Sequence, residues 1–244
     1  MRNIKLTIAY DGTNYKGWQI QKNGDTIQEE IEKALGKLLG KKCCVYGSGR
    51  TDSGVHAKGQ VAHFKTACKL PVKKIPIVLT SLLPRDIQIV RAEEVPFDFH
   101  SQFDAKTKHY KYYILYQKTR DPFAERYAYR VPYKLNVSLM NKEVACLKGE
   151  HDFKSFQASD KGARGTVRRI YSARVKKRKQ FIFIDIVGNG FLYNMVRNIT
   201  GTLIEIGRGY FPLGSMKKIL KMKDRTAAGP TAPPEGLFLV KVKY

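Results

Sequence analysis

Acidic side chains are scarce in this sequence: 21 Asp and Glu stand against 45 Lys and Arg, a formal net charge of +24 over 244 residues. A chain this basic is suited to a polyanion; a generally basic, well-solvated surface is the competing account. Long hydrophobic runs are missing too. No stretch approaches the roughly 18 apolar residues of a bilayer-spanning helix, and the opening MRNIKLTIAYDG reads as a strand rather than a secretory signal. Nucleic acid is therefore favoured over an anionic membrane. Cysteine is limited to Cys43, Cys44, Cys68 and Cys146, with no C-x-x-C and one adjacent pair, a poor disulfide framework. Reduced thiols in the cytoplasm are expected. The five histidines have no metal-ligand spacing with these cysteines. No glycine loop of the Walker or dinucleotide type is present, so neither metal nor cofactor is expected.

The charge is unevenly placed. Residues 1–104 hold 16 basic and 11 acidic side chains, a balance of +5; residues 105–244 hold 29 and 10, a balance of +19. Arg164 to Lys179 carries eight positive side chains and no acid. It is either a solvated hairpin edge protected by its charge or a contact for RNA phosphates, which give position rather than sequence.

The periodicity predicts an α+β chain. Ile4–Tyr10 alternates as a strand. Thr26 and Glu29 form a capping box for a helix to Leu39, with Ile27, Ile31, Ala34, Leu35 and Leu38 as its apolar stripe. Cys43–Tyr46 and Gln60–Phe64 read as strands, Ile75–Leu83 as a short helix with Pro76 in its first turn, and Ile87–Val95 as a strand. This β-α-β-β-α-β order is the ferredoxin-like plan. Residues 105–244 repeat it in element order. They offer a tyrosine-rich strand Lys108–Gln117, a helix behind Asn136, and a hairpin Val167–Val175/Phe181–Val187 around a charged turn Lys176–Gln180. Helix Phe191–Ile206, a short helix capped by Ser215 and a strand Leu237–Val242 follow. Two ferredoxin-like halves, 1–104 and 105–244, are expected, with adjacent antiparallel sheets leaving a central cleft for RNA.

The densest chemistry lies in GSGRTDSGVHA, Gly47–Ala57. Arg50 and Asp52 sit two apart and share a face in an extended segment. They make either a structural ion pair or a nucleophile held ionised by its neighbour. In the tyrosine-rich strand, Tyr110, Tyr112, Ile114 and Tyr116 alternate onto one face. That face is either simple β-propensity or a stacking platform for a base.

GRTDSGVHA followed by KGQVAHF resembles the signature of the tRNA pseudouridine synthase A family. Four further segments stand in the expected order: YDGTNYKGWQIQ ahead of it, and AKTKHYKYYIL, GEHDFKSF and NMVRN after it, before the closing APPEGLFLVKVKY. The resemblance implies an isomerase that converts uridines 38, 39 and 40 of the tRNA anticodon stem-loop to pseudouridine, working as a homodimer. It places the nucleophile at Asp52 and the base-stacking tyrosine, which also takes the C5 proton, at Tyr110. It makes Arg197 the partner that keeps the carboxylate ionised. Arg50 braces the position vacated by a flipped base. A surface arginine on an amphipathic helix is the competing account of Arg197. His56 orders the loop or touches RNA and is given no catalytic role; Asp11 and Trp18 are read as braces. Two rivals remain: a pseudouridine synthase with another RNA target, and a non-catalytic RRM-like binder.

Overall fold

The computed structural model describes residues 1–158 and 165–244; Arg164, the first basic residue of the 164–179 stretch, lies outside the described residues. The chain is α+β and divides into two units. One comprises Met1–Lys106 with Phe238–Tyr244, the other Thr107–Leu237.

In the first unit, β1 (Arg2–Tyr10), α1 (Ile27–Leu39), β2 (Tyr46–Gly47), β3 (His56–Thr66), α2 (Ile75–Leu82) and β4 (Ile87–Val95) follow the expected order. The strands lie β4–β1–β3, with β2 on β3, and all these pairs are antiparallel. Ile4, Leu6 and Ile8 of β1 are fully buried with Ile27, Ile31 and Leu35 of α1 and Leu79 of α2. Helix α1 starts where its sequence says it should: the Thr26 hydroxyl accepts the Glu29 N–H at 3.3 Å, and Gly40 closes the helix at φ 68°. Cys43–Val45 is not a strand. The pairing begins only at Tyr46, opposite His63. The strand β10 (Leu237–Lys243) joins this unit, with Phe238 and Leu239 parallel to His56 and Ala57.

His63 sits in an aromatic pocket on β3. It is 3% exposed, stacks on Tyr46 at 5.3 Å, and accepts the Ser101 N–H on Nδ1 at 3.2 Å. Burial pushes its pKa down to about 4 from 6.5, helped by the charges of His100 and Lys65. The folded state thus binds fewer protons than the unfolded state between these two values. Its contribution to stability is complete above about pH 6.5 and is lost as pH falls toward 4, on the order of 2 kcal/mol. His63→Gln is expected to flatten that loss. Urea midpoints at pH 7 and pH 4.5 check it, and an equal drop in variant and wild type would assign the acid sensitivity to other groups.

The second unit is built on β5 (Thr107–Tyr116), β6 (Tyr129–Val131), β7 (Gly149–Asp152), β8 (Val167–Arg178) and β9 (Phe181–Gly188), ordered β5–β9–β8–β7 with β6 also paired to β5, in parallel. Its helices are α3 (Val137–Val144), α4 (Met195–Gly207) and α5 (Ser215–Met222). Asn136 caps α3 as expected, its side chain accepting the Leu139 N–H at 3.0 Å. Ser215 does not cap α5. The buried Glu143 carboxylate on α3 accepts the Gly214 and Met216 N–H groups at 2.8 and 3.0 Å instead, an anion at a helix N-terminus. The charged turn is shorter than expected. Lys176, Lys177 and Arg178 continue β8, paired with Phe183, Ile182 and Phe181, and Lys179 takes the turn at φ 54°.

Candidate active site

The GRTDSGVHA loop is shaped by the segment Tyr10–Trp18. Ser48 is tied at its start, its N–H to the Val61 carbonyl and its hydroxyl to Gln60 Oε1, both at 2.7 Å; Gln60 Nε2 then donates to the Gly49 carbonyl at 2.9 Å. Thr51 is buried, with its hydroxyl 2.8 Å from the Tyr10 hydroxyl and its carbonyl accepting the Trp18 N–H at 3.1 Å. Burial pushes the Tyr10 phenol up, so it stays a neutral hydrogen-bonding group. Gly54, at φ 76°, turns the chain and donates to the Tyr15 carbonyl at 3.2 Å; the Ser53 hydroxyl reaches the same oxygen. Asp52 heads this turn, its carbonyl accepting the Val55 N–H at 3.1 Å and its side chain half-buried.

Two glycines make the close approach possible. A Cβ on Gly12 would lie 2.0 Å from the Val55 carbonyl oxygen, and one on Gly17 would lie 2.5 Å from the Thr51 carbonyl oxygen. The segment therefore grips the loop backbone on both sides of Asp52. Trp18, 2% exposed, serves as the expected brace, since a Cβ on Gly47 would meet its indole at 2.5 Å. Asp11 accepts the Thr13 N–H at 3.0 Å and lies 3.2 Å from His56 Nδ1. His56 is fully buried, its Nδ1 3.0 Å from the Gly12 N–H and its ring stacked on Phe238 at 4.6 Å. It orders the loop from within. Arg50 is exposed.

In the second unit, Tyr110 and Arg197 are held by different means. Tyr110 is 8% exposed and meets Phe191 edge to face at 5.1 Å. Beside Tyr110, the tyrosine face of β5 is packed. Tyr112 and Ile114 are fully buried, and the Tyr112 hydroxyl donates to the Pro233 carbonyl at 2.8 Å. Helix α4 begins at Met195, not Phe191. Asn194, in the left-handed conformation at φ 57°, ends the loop that seats Phe191. Arg197, in the first turn, is half-buried rather than a free surface arginine. Its Nε donates to the Ala232 carbonyl at 2.7 Å and one terminal nitrogen to Asn194 Oδ1 at 3.0 Å. Arg225, which the sequence did not single out, donates to the Gly229 carbonyl, Asn198 Oδ1 and the Thr231 hydroxyl at 3.0–3.1 Å.

Among the described residues, no group of three His, Cys, Asp or Glu side chains could hold a metal ion. No helix there is long and apolar enough to cross a membrane.

A family model described as tRNA pseudouridine synthase matches residues 6–104 and 144–244. A relative from Thermoanaerobacter sp. (strain X514), described as tRNA pseudouridine synthase A, is 48% identical over the whole of both chains. Relatives of the same description from Geobacter sp. (strain M21) and Ruminiclostridium cellulolyticum are 49% and 50% identical, covering all of this chain and 99% and 100% of theirs. Among solved structures, a Cbf5–Nop10–Gar1 complex matches at a TM-score of 0.35 and 10% identity, over 83% of this chain and 53% of that one.

Proposed function

The chain belongs to the tRNA pseudouridine synthase family, and from that premise we propose that it isomerises uridines 38, 39 and 40 of the tRNA anticodon stem-loop to pseudouridine. The reaction breaks the C1′–N1 bond, turns the base, and joins C5 to C1′ while a proton leaves C5. It needs no electron donor and no transferred group. The observation that carries the reading is the likeness, over the full length, to relatives described as tRNA pseudouridine synthase A.

Within it, Asp52 is the nucleophile, acting at the sugar or the base. A carboxylate screened from water tends to take up a proton, and a guanidinium opposes that tendency. Arg197 supplies it, and its two fixed hydrogen bonds support that role. A paired uridine must leave its stack before it can react, at a cost of a few kcal/mol. Arg50, exposed at the rim of the Asp52 loop, braces the vacated position. Tyr110 stacks on the uracil and takes the C5 proton. The basic strand β8 contacts phosphates. The working form is a cytoplasmic homodimer.

The test is to incubate the purified chain with an unmodified tRNA transcript and map pseudouridine along it. Product at 38–40 is expected. Product confined to other positions would change the target, and none at all would sink the enzymatic reading. For Tyr110, the phenylalanine variant separates two jobs. If the hydroxyl moves a proton, Tyr110→Phe loses most turnover and binds tRNA normally. Tyr110→Ala also loses stacking, worth about 1–3 kcal/mol. Near-wild-type rates in both would return Tyr110 to a packing role.

A further inference from the structure

We propose that Arg225 is a positioning residue for Arg197: it clamps the loop 228–232 onto α4 so that the Ala232 carbonyl fixes the Arg197 guanidinium. The inference rests on the role given to Arg197 above.

The loop and the helix meet backbone to backbone. A Cβ on Gly201 would fall 1.7 Å from the Pro230 carbonyl oxygen, and one on Gly229 would fall 2.8 Å from Thr202 Cα. The Thr202 hydroxyl donates to the Asn198 carbonyl at 2.8 Å and accepts the Gly229 N–H at 2.9 Å. Asn198, next to Arg197, is fully buried, with its amide nitrogen on the Phe156 carbonyl at 2.8 Å and its oxygen 2.6 Å from the Thr231 hydroxyl.

Arg225 ties these parts together. One terminal nitrogen reaches the Gly229 carbonyl at 3.0 Å, and the other reaches Asn198 Oδ1 and the Thr231 hydroxyl at 3.1 Å. None of these acceptors is a carboxylate. A planar fork of donors can bind loop and helix at once; an ammonium has no such geometry. The cost of half-burying the charge is visible, since burial draws the Arg225 pKa downward. Beyond the clamp, Ala232 both donates its N–H to the Arg197 carbonyl at 3.2 Å and accepts from Arg197 Nε at 2.7 Å. With Asn194 on another nitrogen, the plane of the guanidinium is set by the loop that Arg225 holds.

The experiment is a double-mutant cycle on turnover of a tRNA transcript, using Arg197→Lys, Arg225→Ala and the pair. Misplacing a reacting group by about 1 Å costs on the order of a hundredfold in rate. Arg225→Ala is thus expected to lower kcat by about 30- to 100-fold with KM within about threefold. In the Arg197→Lys background the same change should cost less than about threefold, because what it positions is already gone. Free guanidinium should restore kcat in Arg225→Ala but not in the pair. Should Arg225→Ala fail to fold, Arg225→Lys takes its place in the cycle, and a defect there despite the retained charge supports the clamp. Multiplicative losses in the cycle, or wild-type kcat in Arg225→Lys, would overturn the inference and leave the proposed function standing. Wild-type turnover by Arg197→Lys alone would overturn the role of Arg197 and the inference with it.

Discussion

Asp52→Asn is expected to abolish pseudouridine formation and to leave tRNA binding within about tenfold, roughly 1.4 kcal/mol. The amide has the shape of the carboxylate, so the turn from Asp52 to Val55, made by backbone atoms, is undisturbed. What disappears is one negative charge and the nucleophile. On a protein of net charge +24, that loss gives RNA no reason to leave. Single-turnover assays at saturating tRNA, with affinity measured alongside, check both halves. Full conversion by the variant would remove Asp52 from the mechanism.

Gly12→Ala is expected to do nearly as much damage from outside the reacting residues. The new methyl would stand 2.0 Å from the Val55 carbonyl oxygen, where ordinary contact begins near 3.4 Å. Backbone must therefore move, and the nearest is the turn that Asp52 heads. Turnover should fall about a hundredfold while tRNA affinity changes little. Gly40→Ala is the control. Its φ of 68° makes alanine strained, yet nothing lies within 4 Å of its Cβ, so it should cost stability and leave turnover unchanged. Normal turnover by Gly12→Ala would mean that the position of the loop does not matter to the reaction.

Local chemistry was legible in the sequence; long-range partners were not. Thr26 could be read as a helix cap because its partner is three residues away. Strand β3 runs past both ends of the expected Gln60–Phe64. It is buried on both faces at 59–64, so no alternation marks its limits. Helix α4 starts four residues later than its apolar pattern suggests, because Phe191 and Leu192 extend that pattern while the left-handed Asn194 breaks the helix without breaking it. The Asp52 loop stood out as a string. The grip of Gly12 and Gly17 on it did not, since it joins residues 43 and 34 positions apart through backbone atoms. Arg225 was invisible for a similar reason: its acceptors are carbonyls and neutral side chains, which leave no charge pattern to find.

The placement of β10 makes the pairing of β3 wait on the end of synthesis. Its Phe238 and Leu239 lie along His56 and Ala57, the residues that follow the Asp52 loop, and Phe238 covers the His56 ring. Between the two halves of this first unit the ribosome must add residues 107–237, which at bacterial and eukaryotic speeds of about 5–20 residues per second takes about 7–26 s. Throughout that interval the nascent chain carries β3 with its edge unpaired at 56–57 and His56 uncovered. That edge, where the Asp52 loop ends, is covered only once Phe238 and Leu239 have been added, so a polypeptide released before that point holds every residue of the loop and lacks the strand that pairs beside it.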